Sequence, residues 1–309
     1  MTVGKPSLMR MARAPFLSSV LAPIFAGTLL AVDINSSFSL PGFLLMLIMG
    51  IGLHVATNVY NDIYDTIQGT DKVNVHRNEF SGGSGILLDR PDMMSDMYAL
   101  ARWSLAAAFF AAIGLTFFVS KSLWPLLWGL FVLAALFSKF YTAGPVKLAY
   151  RGFGEISVWF AFGPMAVLAA AVSQNLGFDS RIFVLMPATG LSTLSILMIG
   201  QLIDLDADRQ GGKHGLASRL GTGPTAWIYF FVQMAIVADV LVMFFFLPGK
   251  SWPLLICLIP YVYLFPRALK IVLKHHADPD SLKQAAGLNV QTHLLFSVLL
   301  IVSLLIYIS

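Results

Sequence analysis

The sequence predicts an all-α protein that is embedded in a membrane. Hydrophobic residues make up 57% of the 309 positions and charged residues only 12%, about half of the roughly 25% that is typical of soluble domains. The mean hydropathy is +0.77, and apolar runs of about 20 residues, long enough to cross a bilayer as a helix, recur along the chain. We therefore expect a single membrane-embedded domain over residues 1–309, without a separate soluble domain.

Nine apolar runs predict nine spanning helices. In chain order they lie at roughly 15–33, 39–60, 98–119, 122–140, 153–173, 181–203, 224–247, 251–273 and 287–308. The third and fourth runs are separated by only a few residues, so they are expected to form a tight hairpin. The single cysteine, Cys257, lies in an apolar run, which excludes an intramolecular disulfide and a metal cluster built from cysteines.

The positive charges are distributed unequally between the two sides of the predicted bundle. With the N-terminus inside, seventeen of the 20 Lys and Arg residues fall on the inner side, and only Lys121, Arg181 and Lys250 fall on the outer side. Because Lys and Arg are enriched in cytoplasmic loops, the sequence predicts a cytoplasmic N-terminus. The net charge of +4 reflects this topology and contact with anionic lipids, and it is no argument for nucleic-acid binding. Two long acidic loops, at about 58–97 and 201–223, lie on the inner side, where we expect the chemistry.

The first acidic segment, residues 58–71, continues the second predicted helix with the sequence NVYNDIYDTIQGTD. Four oxygen-bearing side chains follow the spacing i, i+3, i+4 and i+7, which places them on one stripe of an α-helix: Asn58, Asn61, Asp62 and Asp65. Gly69 is expected to end this helix, and Asp71 follows on a turn that could bring it back to the stripe. Charged groups near a bilayer are costly, so these residues are candidates for a functional site.

The second acidic segment, residues 201–213, lies at the inner end of the sixth predicted helix, within the stretch GQLIDLDADRQGGKHG. Three of its polar side chains follow the spacing i, i+3 and i+7: Gln201, Asp204 and Asp208. Asp206 lies about 200° around the helix from Asp204, so it is the less suitable member. The glycines at 211–212 are expected to end the helix, and Lys213 follows directly.

Two carboxylate stripes at the same membrane face could meet across a helix bundle and hold a metal ion. Oxygen ligands suit Mg²⁺, which is typically bound by one or two carboxylates together with substrate phosphates. Basic residues nearby make sense if the ligand is a diphosphate, whose charge the metal and the bases can share. The candidate bases are Lys147, Arg77, Lys213 and Arg219.

Two other interpretations of the acids stay open. Single acids at a helix end are usually solvated, which would leave them without a function. Acids within a membrane also serve cation- or proton-coupled transporters. Against a transporter, these acids lie at the inner rim rather than at the midplane, and no helix is visibly broken at corresponding places in two halves of the chain.

Five stretches of the chain carry a resemblance to a known family. They are NDIYDTIQGTD (61–71), DLDADRQGGKHGLASRLG (204–221), YTAGPVKLAYRGFGE (141–155), FGP (162–164) and RAPFLSSVLAPIFAGTLLA (13–31). The first two resemble the Asp-rich motifs of the UbiA superfamily of intramembrane prenyltransferases, and the third is similar to the Tyr/Lys loop between them. The last resembles the first helix of the 1,4-dihydroxy-2-naphthoate prenyltransferase branch. The resemblance covers nearly the whole chain.

The resemblance implies a fold of nine transmembrane helices around a central cavity that opens laterally to lipid. It implies Mg²⁺-dependent transfer of a polyprenyl group from its diphosphate to an aromatic quinone precursor, with two ions expected and 1,4-dihydroxy-2-naphthoate as the expected acceptor. Other acceptors used within the superfamily are the alternatives: 4-hydroxybenzoate, a tetrapyrrole or a glycerol phosphate lipid. The partners are then the two substrates and membrane lipids, with no nucleic acid, and the oligomeric state is left open.

The resemblance also assigns roles to individual positions. The metal ligands are expected at Asn61, Asp62, Asp65, Asp71, Asp204 and Asp208. Catalytic roles are expected for Asp65, Asp208, Lys147 and Tyr141. The diphosphate is expected to contact Lys147 and Lys213, to which the charge argument adds Arg77 and Arg219.

The acceptor site and one loop are less defined by the sequence. Arg13, Asn58 and His54 are candidates for binding the acceptor, although Arg13 could instead anchor lipid headgroups and His54 could form a hydrogen bond between packed helices. The glycine-rich loop at 81–85 could present backbone N–H groups to a phosphate or carboxylate, or it could be a flexible lid.

Overall fold

The computed structural model describes residues 6–309, and within this range it contains helices and no extended strand. Nine of these helices are long and apolar enough to cross a membrane: α1 (Ala14–Asn35), α2 (Leu40–Gln68), α3 (Pro91–Leu115), α4 (Lys121–Phe140), α5 (Gly154–Ser173), α6 (Ser180–Ile203), α7 (Thr222–Phe246), α8 (Trp252–Lys274) and α9 (Pro279–Tyr307). The predicted all-α membrane fold and its nine helices are confirmed for this part of the chain. Lys5, one of the inner positive charges, lies outside the described residues.

Several spans contain turns that are not α-helical. Short 3₁₀ turns begin α1, α3 and α4, at Ala14–Leu17, Pro91–Met93 and Lys121–Leu123, and a longer one begins α8, at Trp252–Leu258. In α5, a π-helical turn at Ala161–Met165 contains Pro164. Proline lacks the N–H that an α-helix needs, and a local π-turn accommodates the missing bond.

Six short helices lie outside the spans: Leu8–Met11, Thr70–Val73, Ile86–Asp89, Leu148–Arg151, Leu205–Gln210 and Leu216–Leu220. The first precedes α1. The next two follow α2, the fourth precedes α5, and the last two connect α6 to α7. All of these connections therefore belong to the same end of the spanning helices, because α1, α3, α5 and α7 begin there and α2 and α6 end there.

Two spans are longer than the apolar runs suggested. α2 continues beyond its apolar run, which ends near residue 60, to Gln68, as the helical spacing of the first acidic segment predicted, and its polar last turns are buried against other parts of the protein. α9 begins at Pro279 rather than near residue 287. The side chain of Asp278 accepts a hydrogen bond from the Asp280 N–H and so caps the start of the helix. Hydropathy marks the apolar part of a helix, whereas caps and buried polar contacts fix its ends.

The packing of the spans encloses a cavity. α2 packs along α3 and against α4, α1 packs along α5, and α6 contacts α5, α7 and α9. α5 and α6 are in close contact at Gly163 and Gly190, where a Cβ atom on either glycine would collide with a backbone oxygen of the other helix. Small residues allow such close approach in membrane bundles. The space that remains between α1, α2, α4, α5 and α6 is the cavity described next.

Candidate active site

A cavity of about 300 Å³ lies between five of the spans and is polar at one end and apolar at the other. The polar end is lined by residues of both acidic segments, including Asn58, Asn61, Asp65, Asp71, Asp204, Asp208 and Lys213. The apolar end is lined by side chains of α2, α4 and α5, including Met46, Met49, Leu130, Phe131, Ala166 and Ala169. The cavity therefore suits a ligand with a charged head and a hydrocarbon tail.

The first acidic segment is arranged as the sequence predicted. α2 runs unbroken through Asn58, Asn61, Asp62 and Asp65, so these side chains share one face of the helix. Gly69 ends α2 with a left-handed backbone (φ 87°). The chain then turns into the helix Thr70–Val73, where the Thr66 hydroxyl donates to Asp71 Oδ2 at 3.2 Å. Asp71 lines the cavity together with Asn61 and Asp65, which confirms that it returns to the side of α2 that carries the stripe.

Asp65 is the centre of a buried hydrogen-bond network. Its Oδ2 accepts from Asn61 Nδ2 at 3.0 Å and from Lys213 Nζ at 2.6 Å, and its Oδ1 accepts from the Tyr150 hydroxyl at 2.7 Å. Lys213 Nζ also lies 3.8 Å from Asp208 Oδ1. One ammonium therefore joins the two acidic segments and offsets the cost of burying their carboxylates.

Asp62 lies beside this network and keeps an unpaired oxygen. Its Oδ1 accepts from the Ser84 N–H at 3.2 Å and lies 3.8 Å from Arg13 Nη1. Its Oδ2 is buried and has no hydrogen-bond partner within residues 6–309. A Cβ on Gly83 would lie 3.1 Å from Asp62 Oδ1 and 3.2 Å from Asp71 Oδ2, so both carboxylates face this glycine, whose φ is 72°. The glycine-rich loop at 81–85 thus packs on the acids and presents a backbone N–H to a carboxylate.

The second acidic segment differs from its prediction. α6 ends at Ile203, Asp204 has a non-helical backbone, and a separate short helix, Leu205–Gln210, carries Asp208. The expected single helix through Gln201, Asp204 and Asp208 is therefore wrong, although all three residues line the cavity together. Asp204 Oδ1 instead accepts from Asn74 Nδ2 at 2.8 Å, which ties the break to the loop after the first segment.

Other expectations for this segment are confirmed. Asp206 is exposed and points away from the cavity lining. The short helix ends at Gly211, and Gly212 follows with φ 76°. The Lys213 N–H then donates to the Asp208 backbone oxygen at 2.7 Å, which directs the Lys213 side chain back to the acids.

The four predicted phosphate-binding cations do not lie together. Lys213 lines the cavity, and so does Tyr141. Lys147 lies outside the lining, with its Nζ 5.6 Å from the centre of the Tyr150 ring. Arg77 packs against Gly82 and Gly85 behind the glycine-rich loop, and the exposed Arg219 packs against Gly152.

Two residues of the site were not identified from the sequence. Tyr150 donates to Asp65 and lies 2.9 Å from the Thr70 hydroxyl, and the Lys213 Nζ is 5.4 Å from its ring centre. Glu155 Oε1 accepts from Gln201 Nε2 and from the Leu216 N–H, each at 2.7 Å, and so holds the second segment from the start of α5. A signal for Glu155 was present, because it is a carboxylate in the first turn of an apolar span.

Burial and neighbouring charges set the protonation of the site. Burial raises the pKa of Asp71 to about 7 and the pKa of Asp208 to about 7, and nearby carboxylates add to both shifts. Burial alone would lower the pKa of Lys213, but Asp65 and Asp208 outweigh it and hold that pKa well above its usual value. Burial also raises the pKa values of Tyr141 and Tyr150, which keeps both hydroxyls protonated as donors.

The donor atoms fit a hard divalent cation in their chemistry. Within residues 6–309, no three His, Cys, Asp or Glu side chains are gathered closely enough to chelate a metal as they stand. The carboxylate and amide oxygens of Asn61, Asp65, Asp71, Asp204 and Asp208 nevertheless line one end of one cavity. Asp62, whose Oδ2 is unpaired, lies behind this lining, where it faces Gly83 beside Asp71. Oxygen ligands of this kind are those that Mg²⁺ uses in proteins.

Comparison with known proteins identifies the family. The model of the UbiA prenyltransferase family matches residues 20–286. The chain is 32% identical over 218 residues to a 1,4-dihydroxy-2-naphthoate octaprenyltransferase of Mycobacterium tuberculosis, a match covering 71% of each chain. It is 30% identical over 271 residues to the protein of the same name in Mycobacterium leprae, covering 87% of this chain and 86% of that one.

Solved structures confirm the fold. A UbiA homologue from Aeropyrum pernix K1 in its apo form superposes with a TM-score of 0.65 at 16% identity, covering 92% of this chain and 97% of that one. A UbiA homologue from Archaeoglobus fulgidus bound to DMAPP and Mg²⁺ gives a TM-score of 0.64 at 15% identity, covering 97% and 98%. With the motifs, the family match and the nine-helix fold in agreement, this chain belongs to the UbiA prenyltransferase family and is an integral membrane prenyltransferase.

Proposed function

We propose that the protein transfers a polyprenyl group from its diphosphate to 1,4-dihydroxy-2-naphthoate. The observation that carries the proposal is the cavity with the acids of both segments at one end and apolar side chains at the other. The two mycobacterial relatives described above bear the name of this activity. A 2-carboxy-1,4-naphthoquinone phytyltransferase of Synechocystis, 23% identical over 283 residues, also has a naphthoquinone-type acceptor in its name.

Two Mg²⁺ ions would be held by the acids at the polar end. We propose that the first acidic segment contributes the metal ligands Asn61, Asp62, Asp65 and Asp71. The second segment contributes Asp204 and Asp208. When bound, the metal would supply positive charge that offsets the charge of the diphosphate leaving group. That the A. fulgidus homologue was solved with DMAPP and Mg²⁺ supports this assignment.

The chain's own residues bind the head of the donor and hold it in place. Lys213 lies at the junction of the two acidic segments, where its ammonium can contact a phosphate oxygen. Tyr150 holds Asp65 through its hydroxyl and keeps that carboxylate in place. We assign Lys147 to the outer side of the diphosphate, next to the Tyr150 ring. Arg77 and Arg219 support the loops around the site, since both pack against glycines there and not along the cavity.

The apolar end of the cavity holds the tail and protects the reacting carbon. The carbon–oxygen bond to the diphosphate breaks and leaves an allylic cation, which the apolar walls shield from water. The Tyr141 ring lines the same cavity and can stabilise positive charge through its π face. The electron-rich ring carbon of the acceptor then forms the new bond. Its carboxylate leaves as carbon dioxide, and the electron pair of the broken bond restores the aromatic ring.

We further propose that the active site faces the cytoplasm. The loops that carry the acids are on the end of the bundle where α1 begins, and the sequence assigns seventeen of the 20 Lys and Arg residues to this side. Cysteine labelling from either side of a sealed vesicle tests this topology. If Lys121→Cys were labelled from the cytoplasmic side, the proposed topology would be contradicted.

A direct assay tests the reaction. Purified protein is incubated with Mg²⁺, a labelled prenyl diphosphate and a panel of acceptors: 1,4-dihydroxy-2-naphthoate, 4-hydroxybenzoate, a tetrapyrrole and a glycerol phosphate lipid. Mass spectrometry is expected to show a prenylated, decarboxylated naphthoate product that depends on Mg²⁺. Transfer to another acceptor of the panel, with none to the naphthoate, would refute the proposed acceptor.

A further inference from the structure

A buried histidine lines the cavity beyond the acids. His54 lies on α2, seven residues before Asn61. At the rise of an α-helix, the two residues are about 10 Å apart along the helix axis. Its side chain is buried, and its Nδ1 has no hydrogen-bond partner among the residues that the structure describes. An unpaired polar atom in an apolar environment costs about 1–3 kcal/mol. Such an atom in the wall of a substrate cavity is a candidate for contact with a ligand.

Its neighbour determines which ring nitrogen of His54 carries the proton. Asn58 Nδ2 lies 3.4 Å from the Ala12 backbone oxygen, which can only accept, and 3.1 Å from His54 Nε2. An amide nitrogen donates, so Nε2 accepts this hydrogen bond. In a neutral imidazole the other nitrogen then carries the hydrogen. The unpaired Nδ1 is therefore an N–H donor, and it requires an oxygen.

A cation lies at the same end of the cavity. Arg13 adopts a left-handed backbone (φ 52°), which is unfavourable for a residue with a side chain and is found disproportionately at functional sites. Its guanidinium packs over the Phe16 ring at 4.9 Å, and Arg13 lines the cavity. Its nearest carboxylate atom in the described structure, Asp62 Oδ1, is 3.8 Å away, too far for a hydrogen bond. Arg13 therefore has donors left for a second anion.

Aromatic side chains complete this part of the wall. The Phe162 ring meets the His54 ring edge to face, with 5.3 Å between the ring centres. Phe162 and Phe16 both line the cavity. A flat ring with an anionic group at its edge matches this combination of aromatic walls, one guanidinium and one neutral N–H donor.

We propose that Arg13, His54 and Phe162 form the binding site for the acceptor and select an aromatic carboxylate. Arg13 binds the carboxylate, His54 Nδ1–H donates to an oxygen on the ring, and Asn58 holds the imidazole in its tautomer. The proposal rests on the prenyl transfer proposed above and adds to it where the acceptor lies and what is recognised.

Kinetics of His54 variants test the site. His54→Phe keeps an aromatic ring but removes the donor, whereas His54→Asn places an amide N–H near the position of Nδ1. His54→Phe is expected to raise the KM for the naphthoate acceptor about tenfold, the equivalent of one lost hydrogen bond, and to leave the KM for the prenyl diphosphate within about twofold. His54→Asn is expected to recover most of the acceptor affinity.

A second buried histidine provides a matched control. His293 on α9 is also buried, and its Nε2 also has no partner among residues 6–309, but it does not line the cavity. His293→Asn is expected to leave both KM values unchanged. An equal rise in acceptor KM for His293→Asn and His54→Phe would show a general effect of packing and would overturn the proposal.

Substrate selectivity tests Arg13 separately. The wild-type protein is expected to bind 1,4-dihydroxy-2-naphthoate more tightly than 1,4-dihydroxynaphthalene, measured by ligand-induced fluorescence quenching without any prenyl donor. Arg13→Gln is expected to remove this preference, because it weakens the binding of 1,4-dihydroxy-2-naphthoate and leaves the binding of 1,4-dihydroxynaphthalene unchanged. If the preference persists in Arg13→Gln, or His54→Phe leaves acceptor binding unchanged, the assigned site is wrong even when wild-type prenyl transfer is intact. If wild type binds neither compound and transfers to neither, the proposed function itself fails.

Discussion

The two acidic segments contribute the same kinds of side chain but are held by different means. In the first, Asn58, Asn61, Asp62 and Asp65 lie on one continuous helix, α2, so their spacing along the chain fixes their geometry, and only Asp71 lies beyond its end. In the second, the helix is interrupted at Asp204, and residues from elsewhere hold the segment in place. Asn74 donates a hydrogen bond to Asp204, and Glu155 accepts hydrogen bonds from Gln201 and Leu216. A helix presents its acids without outside support, whereas a broken segment depends on the residues that hold it.

The segments also differ in the role of their central carboxylates. Asp65 accepts from three donors, Asn61, Tyr150 and Lys213, whereas Asp208 has one long ion pair at 3.8 Å. Removing Asp65 leaves more polar groups without a partner. The first segment is therefore expected to be the more sensitive to substitution at its own acids, and the second to substitution at its supports.

The largest expected effect comes from the central acids. Asp65→Ala is expected to lower prenyl transfer about 10³-fold and Asp208→Ala about 10²-fold, because each removes negative charge that would hold the metal and its diphosphate. Transfer is measured with labelled donor, and membrane insertion is checked by fractionation and size-exclusion chromatography. Asp206→Ala, an exposed acid of the second segment, is the control and should keep its activity. Full activity in both central variants would reject the metal site.

The next effect is a dependence of Mg²⁺ affinity on pH. Because the pKa values of Asp71 and Asp208 are both raised to about 7, both acids hold protons below that pH, and the metal must displace them. Mg²⁺ affinity, measured by calorimetry, is expected to fall about tenfold for each of the two acids between pH 8 and pH 6. Asp71→Asn and Asp208→Asn should each remove part of this slope. If one of these variants removed the whole pH dependence of Mg²⁺ affinity, only the acid of that segment would exchange its proton for the metal.

The raised pKa values of Asp71 and Asp208 also determine how the stability of the metal-free protein changes with pH. An acid whose pKa is raised by folding stabilises the folded chain at low pH, and that contribution is lost as the pH rises through the folded value. The metal-free protein is therefore expected to lose thermal stability between about pH 4 and pH 7, and saturating Mg²⁺ should reduce the loss.

A smaller effect is expected from the support of the second segment. Glu155→Ala removes the acceptor for Gln201 and Leu216 and is expected to lower activity about tenfold, mainly by raising the Mg²⁺ concentration needed for half-maximal rate. Glu155→Gln keeps an oxygen that can accept one of these bonds and should recover much of the loss. A general defect in folding would instead lower the rate equally at every Mg²⁺ concentration.

The smallest effect is expected at the glycines that follow the acid-bearing helix of each segment. Gly69 and Gly212 both have left-handed backbones and no atom within 4 Å of a Cβ, so alanine there tests backbone strain alone. Gly69→Ala and Gly212→Ala are each expected to cost about 1 kcal/mol in thermal unfolding. The control is Gly129→Ala, in the helix α4 with equal space, which should be neutral or stabilising. If both glycine variants match this control, the left-handed turns carry no strain.

The sequence predicted the fold and the first segment well because both depend on local pattern. Apolar runs gave the nine spans, and helical spacing placed Asn61, Asp62 and Asp65 on one face. It could not show the break at Asp204, whose contact with Asn74 joins residues 130 positions apart. Tyr150 was missed for the same reason, since its contact with Asp65 spans 85 positions. Charge alone also suggested Arg77 and Arg219, which the fold directs against glycines and which do not line the cavity.

The Lys213–Asp65 ion pair gives the site a counter-charge of its own. Many small metalloproteins unfold without their metal, because only the ion balances their ligands. Here the Lys213 ammonium already offsets the charge of Asp65, so we expect the chain to fold without a divalent ion. A divalent ion held by Asp65 would compete with the Lys213 amine for that carboxylate, and the amine would then be free to contact a phosphate oxygen of the donor.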